Sequence, residues 1–203
     1  MKKTILMLTA LTCFTFLSFK HSGWHTDIYK VDVKLSKLEW FAEKLTGKHN
    51  GTIDFSGGEI RNNHGQFSGS VDADMSTIKD LDLKDETYKA KLEGHLKSAD
   101  FFDAVKYPKS TFVITSISPI ANAKPGEATH KVKGNLTIKD KTNEIAFDAV
   151  VSMEPDKIIC TGTAVVDRSK FDVRYGSKSF FPDIGDKIIY DEFKLKFNLV
   201  AVK

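Results

Sequence analysis

The chain has 203 residues, 41% of them hydrophobic and 28% charged, the proportions of a globular protein and not of a disordered one. Its formal net charge is +3, and removal of Lys2, Lys3 and Lys20 would bring the 30 Lys and Arg level with the 27 Asp and Glu. With cations dispersed among acids, the sequence carries no electrostatic footprint for nucleic acid and no polybasic membrane patch.

Residues 1–20 read as an export signal. Lys2 and Lys3 precede an apolar run, "ILMLTALTCFTFLSF", that falls short of the ~20 residues a membrane span needs. "SFKHS" is not an A-x-A cleavage pattern, which leaves an uncleaved anchor, or a lipoprotein signal at Cys13, as alternatives. The expected destination is the periplasm or the cell exterior, with residues 21–203 as one domain. His21 and His25 have i,i+4 spacing beside Gly23 but no accompanying ligands, so no metal is expected there.

Weak strand patterns at 27–33, 37–44 and 51–55 are separated by the turn signals "TGKHNG", "SGG" and "NNHG". In "QFSGSVDADM" Phe67, Gly69, Val71, Ala73 and Met75 share one face, a half-buried strand. "DADMSTIKDLD" alternates acids as a calcium loop does, but lacks the glycine and closing Glu, and reads as a solvated strand face and turn. The period then changes: Tyr88, Leu92, His95 and Leu96 predict one face of a short helix, with Gly94 as a cost inside it. Strand patterns resume at 110–117 and 130–138, across the loop "SPIANAKPGE". After "KDKTN", "EIAFDAVVSM" aligns Ile145, Phe147, Ala149, Val151 and Met153. A strand at 158–167 follows, and "EFKLKFNLVAV" sets Phe193, Leu195, Phe197, Leu199 and Ala201 opposite Lys194, Lys196 and Asn198. Cys160 stands alone in "IICTGTAVV", so no internal disulfide is expected and the thiol reads as a small buried hydrophobe. His49, His64 and His130 fall in turns and read as solvated.

Roughly eight strands and one inserted helix make a single antiparallel unit, either a sandwich or a closed barrel. Small residues at inward positions (Gly69, Ala73, Ala149, Gly162, Ala164) among phenylalanine walls favour a barrel that encloses dry volume. A filled core of the same composition is the alternative. Near the end, "VDRSKFDVRYGS" concentrates charge and aromatic rings at a strand terminus. It admits two readings: an Arg–Asp staple using Asp100 or Asp103, or a pocket rim where arginines grip a phosphate or carboxylate.

Three stretches, "LKSADFFDAVKYPKSTF", "GNLTIKDKTNEIAFDAVV" and "VDRSKFDVRYGS", together with the early "WFAEKLTGKHNGTIDFSGGEI", resemble the YceI-like family in order and spacing from about residue 27 to 202. Departures from its pattern fall in turns, at "KDKTN" and "SFFPDIGDK". The resemblance implies an extended, lipocalin-like antiparallel barrel whose apolar cavity holds a long-chain lipid, typically a polyisoprenoid. It implies no catalytic residues and no cofactor beyond the bound lipid, and members that often pair as homodimers. Inward positions that would line such a tunnel are Trp40 on the early hairpin, then Phe67, Val71 and Met75. Phe101 and Phe102 follow the helix, and Phe112, Ile114, Leu136, Ile138 and Phe147 come from the middle strands. Phe171, Tyr175, Phe193 and Phe197 complete the set. Arg168, Arg174 and His95 are the head-group candidates. The expected function is non-enzymatic carriage, storage or sequestration of a long-chain amphiphile. Its alternative is an isomerase- or cyclase-type enzyme using Asp103, Tyr175 or His95 in the same barrel.

Overall fold

The computed structural model describes residues 26–203. The signal stretch 1–20, with Cys13, and the His21–His25 pair lie outside the described residues. Strands β1 (Thr26–Val31), β2 (Lys37–Lys44), β3 (Gly47–Asn63) and β4 (Gln66–Asp80) precede helix α1 (Glu86–Lys97). Strands β5 (Lys109–Pro119), β6 (His130–Ile138), β7 (Lys141–Glu154), β8 (Lys157–Asp167) and β9 (Ile189–Val202) follow it, with short 3₁₀ turns at Arg168–Phe171 and Gly185–Lys187.

All pairings are antiparallel, in the order β1-β3-β2-β9-β8-β7-β6-β5-β4, and β3 also pairs with β4, which closes the sheet. β1 and β2 share one stave. β2 pairs with the start of β3 and with β9, while β1 pairs with Glu59–Asn63 of β3 and with Ala201 and Val202. The barrel therefore has eight staves, as the alternation predicts. Between β1 and β2 the chain folds on Asp32, whose Oδ1 accepts from the backbone N–H of Lys34 (2.9 Å) and Leu35 (3.1 Å). Ser36 replaces the interrupted ladder there: its hydroxyl accepts from the Val200 N–H at 2.9 Å.

β3 corrects the sequence reading, which placed a turn at "SGG". Gly57 and Gly58 lie inside a 17-residue strand, at φ 153° and 145°, beside a register shift between Phe55 and Gly57. A Cβ on Gly58 would lie 2.5 Å from the Ser70 carbonyl oxygen, so the glycines serve a bulge that bends the stave. β4 has 15 residues, roughly 50 Å of chain at about 3.3 Å per residue, so the barrel is elongated.

α1 begins where Asp85 accepts hydrogen bonds from the Thr87 (2.9 Å) and Tyr88 (3.1 Å) N–H groups. It ends at Ser98, with His95 and Lys97 in the last turn. Its inward face is narrower than the period predicts: Leu92, His95 and Leu96 are half-buried, whereas Tyr88 is 65% exposed. The helix belongs to a cap over the barrel's upper end, the end carrying the β4–β5 and β8–β9 connections. Phe101, Ala104, Phe171 and Val173, all from those connections, are buried against the strand ends. The lower end carries the β3–β4, β5–β6 and β7–β8 turns and is packed by Tyr29, Val31, Ile60, Ile158 and Ala201.

Candidate functional site: an apolar cavity within the barrel

Phenylalanine and glycine shape one wall. Phe197 of β9, Phe147 of β7 and Phe112 of β5 stand on alternate staves with their rings in contact, at centroid distances of 5.2 Å (Phe147–Phe197) and 5.5 Å (Phe112–Phe147). The two intervening staves supply Gly162 and Gly134. A Cβ on Gly162 would lie 2.8 Å from the Phe197 ring, and one on Gly134 2.3 Å from the Phe112 ring. Each glycine gives a neighbouring ring room to lie flat. The sequence reading took inward small residues as empty volume, yet Gly162 is occupied by the Phe197 ring. Ala73 and Ala164 do border open space.

That space runs from Phe67, Ile117, Val151 and Cys160 near the lower turns up to Ser110, Leu136 and Leu195 below the cap. The cavity between the walls has a volume of about 140 Å³. Polar character is nearly absent. The Ser110 hydroxyl donates to the Thr137 carbonyl at 2.8 Å and is spent in doing so. Burial pushes the Cys160 thiol up to about 11, so it is neutral near pH 7 and not a nucleophile. Among the described residues, no other titratable side chain borders the cavity.

The YceI-like domain matches residues 29–201. The chain belongs to the YceI-like family. A UPF0312 protein of Staphylococcus aureus (strain USA300) is 32% identical over 137 residues, covering 58% of this chain and 71% of the relative. Among solved structures, Burkholderia cenocepacia BcnA is 27% identical with a TM-score of 0.65, covering 85% of this chain and 99% of its own. A polyisoprenoid binding domain from Saccharophagus degradans, implicated in plant cell wall breakdown, shares the fold at 13% identity and a TM-score of 0.59, over 86% of this chain and 97% of that one.

Within this YceI-like barrel, Phe67, Val71, Phe112, Ile114, Leu136, Phe147 and Phe197 border the cavity. The other inward candidates do not. Trp40 and Met75 are buried in a side cluster with Ile78 and Ala104, because the indole N–H reaches the Lys79 carbonyl at 3.1 Å and draws the ring against Gly51. Phe101, Phe102, Ile138, Phe171 and Phe193 form the packed cap above the cavity. Tyr175 is 47% exposed, outside the barrel. Missed residues include Phe55, Ile145 and Leu195, all border positions. Ile145 and Leu195 sit in phase with Phe147 and Phe197, so period two held their signal.

The head-group candidates are placed differently from expectation. Arg168 is 3% exposed. Its guanidinium donates to the carbonyls of Tyr175 (2.7 Å), Ile189 (2.9 Å), Val173 (3.0 Å) and Tyr190 (3.2 Å), and lies 3.4 Å from Asp191. Burial lowers its pKa, against the pull of Asp191 and Asp167. This is a staple, but its partners are carbonyls and Asp191, not Asp100 or Asp103. Arg174 is exposed, pairs with Asp172 at 2.6 Å and covers the Phe180 ring. His95 meets the Phe101 and Tyr175 rings edge-on, at 5.0 Å and 4.4 Å. With Asp103, these groups sit on or around the cap, separated from the cavity by its packed aromatics.

Proposed function

We propose that this protein is a non-enzymatic carrier, store or sequestering agent for one long-chain amphiphilic lipid, an isoprenoid foremost, held in the barrel cavity. The observation that carries the reading is the lining: an elongated space walled by hydrocarbon, with one spent hydroxyl and one neutral thiol. A polyprenyl chain offers only hydrocarbon groups, and each methylene moved out of water contributes about 0.8 kcal/mol. Such a wall binds it without directed polar contacts. The shared fold with a domain described as polyisoprenoid binding points the same way. The catalytic alternative loses support from geometry, since Asp103, Tyr175 and His95 all stand outside the lining. The apolar run Ile5–Phe19 supports export to the periplasm or beyond.

Displacement of a fluorescent long-chain fatty alcohol by unlabelled polyprenol tests the proposal. Wild-type protein is expected to take up the probe saturably. Ala164→Phe, which fills the space beside Leu195, is expected to stay folded and lose more than about tenfold in probe affinity. Equal probe binding by the filled variant would place the ligand elsewhere and defeat the reading.

A further inference from the structure

The register of β3 against β4 brings together three side chains remote from the cavity. His49 lies near the start of β3, Asp80 ends β4, and Asp82 lies two residues on, in the connection to α1. The Asp80 side chain is fully buried, at 0% exposure. One of its oxygens accepts the Leu83 N–H at 2.8 Å, while the other, Oδ2, has no hydrogen-bond partner and lies 3.9 Å from His49 Nδ1. Asp82 is arranged alike: Oδ1 accepts the Asn50 N–H at 2.7 Å and Oδ2 lies 3.0 Å from the same imidazole nitrogen. Each carboxylate thus uses one oxygen to fix its orientation and turns the other to a common centre, as outer hydrogen bonds orient metal ligands. The donor atoms all lie within 4.8 Å of one another.

A buried carboxylate oxygen without a donor is costly. At 3.9 Å the imidazole is too far to serve as that donor. A divalent cation supplies the missing partner. One imidazole nitrogen and two carboxylate oxygens suit a first-row ion such as Zn²⁺ better than calcium or magnesium, which take oxygen alone. Bonds of about 2.0–2.2 Å set neighbouring donors roughly 3.3 Å apart, and the observed 3.0 Å and 3.9 Å straddle that spacing. His49 and Asp82 keep 26% and 31% of their side chains exposed, which gives an ion access.

We propose that His49, Asp80 and Asp82 bind one first-row divalent cation that clips the β4–α1 connection to β3. The clip continues into the cap, because Glu93 of α1 accepts the Asp80 N–H at 3.0 Å.

The test is calorimetric titration of the metal-free full chain with Zn²⁺, alongside thermal melting. Saturable one-to-one binding that raises the melting temperature is expected. His49→Ala and Asp82→Asn, melting as the wild type does without Zn²⁺, should each weaken binding more than about tenfold and lose the thermal shift. The joint His21→Ala and His25→Ala variant should bind as the wild type does. No saturable binding, or binding that survives His49→Ala and Asp82→Asn, or binding lost with the N-terminal pair, overturns the proposal. Asp80 and Asp82 then share a proton instead. Should either variant fail to fold, the His49 ring resonances of the unaltered protein decide: they shift on Zn²⁺ addition if the site is real and stay in place if it is not.

Discussion

A methyl group on Gly134 would meet the Phe112 ring at 2.3 Å and the Val113 carbonyl oxygen at 2.5 Å, and the carbonyl cannot retreat without breaking the β5–β6 ladder. The ladder must give locally and the ring must yield as well, its free direction being the cavity. Gly134→Ala is therefore expected to cost about 1–3 kcal/mol in chemical denaturation and to reduce long-chain probe uptake together. A loss of stability with full uptake would mean that the ring moves elsewhere. Gly162 and Phe197 repeat the relation two staves away. Gly162 was legible as an inward small residue, in phase with Cys160 and Ala164, although its strand pattern is weak. What it makes room for was not, because a cross-strand neighbour is a fact of register, and register is absent from a single strand's pattern.

At the scale of elements, the segment between β8 and β9 is held by a buried cation. Arg168 gathers four carbonyls from Val173, Tyr175, Ile189 and Tyr190, and so ties both ends of the connection to the barrel rim. Arg168→Ala strands these acceptors and Asp191, and is expected to cost about 3–5 kcal/mol. Arg174→Ala removes an exposed pair with Asp172 and the cover over the Phe180 ring, both at the surface, and should change stability by less than about 1 kcal/mol. Urea unfolding of the two variants checks the contrast, and comparable losses would contradict it. The motif "VDRSKFDVRYGS" announced a staple or a rim. The two arginines are six residues apart on either side of a turn, each within two residues of an aspartate, and sequence could not say which one is buried. The left-handed Asp172, at φ 58°, makes that difference by reversing the chain between them.

For the whole molecule, alternation predicted about eight strands but left a sandwich and a barrel open, and small inward residues with the YceI-like resemblance favoured the barrel that the sheet forms. Alternation says whether a residue points inward but not how high along the axis it sits. Phe147 and Phe193 follow the same rule, yet Phe147 borders open space while Phe193 meets Phe102 in the cap at 6.4 Å. The height at which the cavity stops is fixed by Phe101, Phe102 and Phe171 folding back from long connections, and no local period encodes that. The His49–Asp80–Asp82 cluster escaped for the same reason, since its members meet only once β3 and β4 are paired. The central claim is that the space between the phenylalanine wall and its opposite face accepts an oily chain. Native mass spectrometry of the purified protein, followed by organic extraction, tests this most directly. The expected result is a folded species heavier than the polypeptide by one long-chain lipid, which appears in the extract. A folded species at the polypeptide mass that also refuses added polyprenol would contradict the account.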